Sequence, residues 1–188
     1  YLRCYTGGEF HRALELFSEK HPDVDVSVMY GNHEELYAML RSEEADLILN
    51  DQRRAFSEEY VNLLLTTCES YVEVSARSPL AQLPQIIPAE LKNIPCILVA
   101  SPAQRETEQE YYRTVVGLSG EFLYAENMEE ARLMVIARKG FLPVEGAAAR
   151  ATMGKSIVRL PLVRGDEPIL RNYCAFWKKD KAGCYVEE

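Results

Sequence analysis

Three points along the chain place polar or glycine residues directly after a short apolar run and directly before a predicted helix. They are Thr6 with Gly7-Gly8, Gly31-Asn32, and Ser101-Pro102 after Cys96 to Ala100. The chemistry these residues suit is non-covalent capture of a small acid. In an α/β sheet such junctions fall at the carboxyl ends of strands, where ligands bind. Each helix start also offers unpaired N–H groups and a partial positive charge. The same residue types cap helices, so one junction alone is weak evidence. Three of them, with no catalytic group alongside, favour a binding site over an active site.

No enzyme signature accompanies them. Gly7-Gly8 lacks the G-x-G-x-x-G spacing, and G-K-[ST], G-x-S-x-G and H-E-x-x-H are absent. His11, His21 and His33 crowd the first 33 residues without metal-ligand spacing, so no metal or cofactor is expected. His21, before Pro22, reads as a helix-end residue meeting the dipole. His33 either reaches the ligand side or is solvated in the first turn of its helix. Arg53-Arg54 could clamp a carboxylate, although a loop arginine pair is more simply solvated. Trp177 reads as core or hinge packing.

Composition narrows the class further. The 188 residues carry a net charge of −8, and 14 acidic against 6 basic residues lie within 1–72. Such a surface repels phosphates, so this chain is not expected to grip DNA itself. No apolar run approaches the roughly 20 residues that span a bilayer. The five cysteines, Cys4, Cys68, Cys96, Cys174 and Cys184, are scattered and odd in number, which fits small hydrophobes in a reducing cytoplasm.

Periodicity supplies the elements that must position these residues. Residues 1–50 read as β-α-β-α-β in a parallel sheet. Phe10, Ala13, Leu14 and Phe17 form one stripe of a helix over 8–21, which Pro22 stops. Val24, Val26, Val28 and Tyr30 alternate as a strand. Asn32-His-Glu-Glu35 predicts a capped helix with Leu36, Met39 and Leu40 inward. Ala45 to Leu49 reads as a buried parallel strand. A strand-rich stretch at 61–76 and prolines 79, 84, 88 and 95 mark a crossing between lobes. Beyond it, a helix capped by Ser101 runs to about Val116, a strand covers 121–125, and a helix capped by Asn127 closes at Gly140. Ala147 to Ala151 reads as helical, strands follow at 156–163 and 169–177, and the charged tail from Lys178 opens another helix.

These residues resemble a known family. The run Phe10 to Tyr37, F-H-R-A-L-E-L-F-S-E-K-H-P-D-V-D-V-S-V-M-Y-G-N-H-E-E-L-Y, is similar to the opening of the effector-binding domain of LysR-type transcriptional regulators. Ala45 to Leu49, Tyr71 to Leu80, Gly140 to Pro143 and Phe176 to Asp180 echo later motifs of that family. The resemblance implies an α/β fold of two Rossmann-like lobes joined by two crossover strands, periplasmic-binding-protein-like of type II. Lobe one would comprise 1–72 plus 175–188 and lobe two 73–174. It also implies a helix-turn-helix DNA-binding domain upstream, which the abrupt start on a strand agrees with. A small effector, an organic acid or amino-acid-like molecule, would sit between the lobes. Thr6, Gly7, Gly8, Asn32, Asn50, Asp51, Ser101 and Pro102 match its ligand positions. Relatives assemble as dimers or tetramers, which would set the helix at 8–21 of one copy against the helix at 127–139 of another. Ala103-Gln104 stand where the peroxide-sensing branch carries a reactive cysteine, so peroxide sensing is not expected. Asp51 would oppose an anionic effector. A transport-system solute-binding protein with the same fold is the alternative, but it would normally be exported, which scattered thiols argue against. An enzyme such as a dehydratase would need an acid-base constellation that the chain lacks.

Overall fold

The computed structural model describes residues 1, 8–53, 55–146, 154–181 and 184–185. The chain forms two units, Tyr1–Thr66 with Asn172–Glu188, and Thr67–Arg171. It passes from one to the other inside a strand over 60–75 and returns inside a strand over 170–178.

In the first unit, α1 (Gly8–Lys20) follows from the helical spacing of Phe10, Leu14 and Phe17, which are half-buried. Ala13, assigned to the same stripe, is exposed, as is Leu16. α2 (His33–Arg41) begins at a complete capping box: Asn32 Oδ1 accepts the Glu35 N–H at 2.9 Å, and Glu35 Oε2 accepts the Asn32 N–H at 2.8 Å. Leu36 and Leu40 are buried beneath it. β1 (Leu47–Asp51) pairs antiparallel with Tyr173–Trp177, Ile48 facing Phe176 and Asn50 facing Cys174. The expected parallel neighbour is therefore replaced on this side by the last strand of the chain.

The expected strand over 24–30 is not formed among the described residues. Val26, Val28 and Tyr30 are 41%, 44% and 59% exposed, so the alternating face is not buried. An extended segment becomes a strand only when a neighbour takes up its N–H and C=O groups. The nearest sequence candidate, 2–7, lies outside the described residues. One parallel-type bridge does appear: the Tyr1 nitrogen donates to Met29 O at 2.7 Å, and Gly31 N–H donates to Tyr1 O at 3.1 Å.

The second unit takes the end of β2 (Tyr60–Ser75), then β3 (Cys96–Val99), α3 (Arg105–Tyr111), β4 (Phe122–Ala125), α4 (Met128–Ile136), β5 (Leu142–Glu145) and β6 (Ile157–Pro161). A short hairpin of β7 (Val163–Arg164) and β8 (Glu167–Pro168) leads into β9 (Leu170–Lys178). Residues 71–75 of β2 pair antiparallel with β6, and residues 70–73 pair with β5. β3 and β4 are parallel, Cys96 beside Phe122 and Val99 beside Ala125. Successive side chains of β3 enter two apolar clusters: Cys96 and Leu98 join Val72, Val74 and Phe141, while Ile97 joins Ala131, Val135 and Leu142. That split is the period-two alternation of a strand buried on both faces.

Two helix ends differ from expectation. Ser101 does not cap a helix. Its hydroxyl donates to Gln104 Oε1 at 2.7 Å, and Gln104 N–H donates to Ser101 O at 2.9 Å. This turn uses up the residues expected to open the helix, which starts at Arg105 and loosens into a π turn over Tyr112–Val116. The second end is that of α4. Asn127 Oδ1 accepts the Glu130 N–H at 2.9 Å, as predicted, but Arg138 rather than Gly140 adopts the left-handed conformation beyond Ile136, with φ 59°. Gly140 serves a different purpose, close approach to the backbone of Pro95. Ala147 to Ala151, expected to be helical, lie outside the described residues, and of the charged tail a 3-10 turn over Lys179–Lys181 is described.

Candidate functional site

In the first unit the N-terminus of α2 meets the carboxyl end of β1, and the side chains there form one buried polar cluster. His33 is the first residue of α2 and only 3% exposed. Its Nδ1 lies 3.1 Å from Asn50 Oδ1 and 3.0 Å from Asp51 Oδ1. Asn50 Nδ2 donates to His33 O at 3.1 Å, and Asn50 Oδ1 also accepts the Asp51 N–H at 3.0 Å. The second oxygen of Asp51 accepts from Arg53 Nε at 2.8 Å. A charge at the end of an apolar strand survives burial only when paired and hydrogen-bonded, and here His33 and Arg53 supply the partners of the Asp51 carboxylate.

The sequence candidates separate accordingly. Asn32 caps α2, with His33 next to it, so Asn32, Asn50 and Asp51 gather at one helix start. Asn50 and Asp51 are fully buried, with side chains engaged by His33 and Arg53. His33 is not the solvated first-turn residue of one of its two expected roles: it is buried at the centre of this cluster, held through Nδ1. Arg53 does clamp a carboxylate, but that of Asp51; Arg54 lies outside the described residues, as do Thr6 and Gly7. Gly8 opens α1. In the second unit Ser101 and Pro102 are exposed, directly after β3. The Ser101 hydroxyl is held by Gln104, and this loop presents no buried polar cluster among the described residues. Trp177 is packed in the core at 5% exposure.

Two buried arrangements escape a reading of the sequence. In the second unit Glu73 of β2, fully buried, accepts from Arg132 Nε and Nη2 at 2.9 and 3.2 Å and from Arg159 Nη2 at 2.5 Å. A signal for it does exist: a lone glutamate between Val72 and Val74, on a strand buried on both faces, must find cations. Arg171, at the end of this unit, pairs with Glu145, donates from Nε to Tyr111 OH at 3.0 Å and stacks 4.4 Å above the Tyr111 ring. Nothing in the local sequence pattern announces that contact. Burial pushes the Cys96 thiol up, and burial with the nearby Asp51 charge pushes Cys174 up, so neither is a ready thiolate. Among the described residues no group of three His, Cys, Asp or Glu could hold a metal ion.

A family model described as the LysR substrate binding domain matches residues 7–183. The regulatory domain of MetR, a LysR family regulator from N. meningitidis, superposes with a TM-score of 0.77 at 14% identity, over 99% of this chain and 86% of that one. A full-length BenM mutant gives 0.78 at 17% identity, over 96% of this chain and 60% of that one. The BenM effector-binding domain with its effector benzoate gives 0.73 at 16% identity, over 95% and 81%. No curated protein sequence matches this chain.

Proposed function

The chain belongs to the LysR substrate-binding domain family, and from that premise we propose that it senses a small metabolite, an organic acid or amino-acid-like molecule, on behalf of a DNA-binding regulator. The observation that carries this reading is the family match over 7–183, with a periplasmic-binding-protein-like type II fold. Effector sensing by a LysR-type regulator is the family's role; the transport-protein alternative is not favoured. The family is not an enzyme class, and the domain acts by binding alone. A ligand shifts such a domain only by its differential affinity for the available conformations.

Several finer features complete the proposal. Effector-contacting residues are drawn from Thr6, Gly7, Gly8, Asn32, Asn50, Asp51, Ser101 and Pro102. DNA is contacted through a helix-turn-helix domain upstream, and the regulator works in the cytoplasm. Among the described residues no helix is long and apolar enough to cross a membrane. Copies associate through α1 and α4. Leu133 and Ile136, one turn apart on α4 at 60% and 45% exposure, and Leu16 on α1, at 53%, support that pairing, because adjacent exposed apolar side chains are thereby covered.

Alanine substitution tests the site. Thr6→Ala and Ser101→Ala each weaken effector binding by about 1–3 kcal/mol where the hydroxyl is buried against a charged group. Ser101→Ala leaves folding stability within about 0.5 kcal/mol, because its side chain is exposed. Titration calorimetry reads the first effect and urea denaturation the second; unchanged affinity in both variants removes these residues from the site.

A further inference from the structure

The cluster at the start of α2 contains a buried polar atom without a partner among the described residues, the Nε2 of His33. The other ring nitrogen explains why this matters. Asn50 Nδ2 donates to the His33 carbonyl, which turns Asn50 Oδ1 toward Nδ1, and the second oxygen facing Nδ1 belongs to the Asp51 carboxylate, held by Arg53. Two acceptors at Nδ1 require the proton there, so the neutral ring presents a bare lone pair at Nε2. The Tyr37 ring packs edge-on at 5.2 Å and 71°, which fixes the imidazole plane. A buried acceptor without a donor is costly, and a donor arriving at Nε2 recovers that cost.

The surroundings decide what kind of group can arrive. Arg53 is engaged with Asp51, the first turn of α2 carries Glu34 and Glu35, and residues 1–72 hold 14 acidic against 6 basic residues. An incoming carboxylate finds its charge opposed here and brings no hydrogen for Nε2. A hydroxyl or an ammonium brings one, and an ammonium is also favoured by the acidic setting. We propose that His33 Nε2 accepts a hydrogen bond from a hydroxyl or ammonium group of the effector, making His33 a specificity-determining residue for a donor-bearing acid. The inference rests on the effector-binding reading above, and it resolves the charge conflict raised by Asp51: the donor end of the ligand, not its carboxylate, meets this cluster.

Two measurements on the purified 188-residue chain test it. In ¹⁵N-histidine NMR of the ligand-free protein at pH 7.5, Nδ1 of His33 is protonated and Nε2 is bare; a proton on Nε2 overturns the proposal without any variant being made. The second measurement is thermal-shift titration with compounds that differ by one donor: lactate and alanine against propionate, and malate against succinate. A donor-bearing compound binds the wild-type chain at least about tenfold more tightly than its counterpart. His33→Asn, whose amide still donates toward Asn50 and Asp51 but offers no acceptor at Nε2, abolishes that preference. Equal binding of the paired compounds by the wild-type chain, or a preference that survives in His33→Asn, overturns the inference and leaves effector sensing standing. Binding by none of the five compounds overturns both the inference and the acid-effector class.

Discussion

Replacing Glu73 by alanine lowers the stability of the domain by about 3–5 kcal/mol, the usual cost of removing one partner from a buried ion pair. The carboxylate is fully buried, and it is shared by two guanidinium groups that come from different elements, Arg132 on α4 and Arg159 on β6. Arg159 is the direct cross-strand neighbour of Glu73, and its side chain is only 14% exposed. Without the glutamate, a cation remains desolvated on the sheet and α4 loses its polar tie to β2. Arg132→Ala costs less, about 1–2 kcal/mol, because that side chain is 28% exposed and Arg159 still neutralises the carboxylate. Urea denaturation of the two variants checks the order. A loss below about 1 kcal/mol for Glu73→Ala shows that the cluster contributes little to the fold.

Gly140→Ala carries a comparable penalty, roughly 3 kcal/mol, for a steric reason. A Cβ at this position stands 2.2 Å from the carbonyl oxygen of Pro95 and 3.1 Å from Ile97 Cγ1. The first contact is with backbone, so no rotamer change relieves it. The backbone cannot retreat easily either, because Phe141 N–H donates to Pro95 O at 3.0 Å and Ile97 N–H to Phe141 O at 2.8 Å. Gly146 provides the control. It has φ +77°, but nothing lies within 4 Å of the place its methyl group would take. Gly146→Ala therefore costs about 1 kcal/mol, from the left-handed backbone alone. Equal melting temperatures for the two variants contradict the close-approach argument.

Local signals make much of the fold readable from the residues alone. The spacing of Phe10, Leu14 and Phe17, the capping sequence Asn32 to Glu35 and the apolar run before Ser101 each correspond to an element of the structure. Context is what misleads. Val24 to Tyr30 alternates as a strand does, yet pairing depends on a neighbour that a local pattern does not contain. Ser101 to Gln104 has the composition of a capping box, but the serine hydroxyl prefers the glutamine side chain, and the helix starts later. The candidate site is legible as a set of positions rather than as chemistry. Asn50 and Asp51 are recognisable as a polar strand end; that His33 and Arg53 fold over them is a tertiary fact, the histidine contacts joining residues 17 and 18 apart. Glu73 betrays itself between Val72 and Val74, but which arginines meet it, 59 and 86 positions away, is beyond any local pattern.

The most direct test of the account is the melting temperature of the purified domain across a panel of small organic acids and amino acids. A ligand that binds only the folded state stabilises it by RT ln(1 + [L]/Kd), about 2.7 kcal/mol at a hundredfold excess over Kd. At least one member is expected to raise the midpoint saturably, to bind as one molecule per chain in calorimetry and to be recovered unchanged. A panel without any stabilising member, or a member that is bound and chemically consumed, contradicts it.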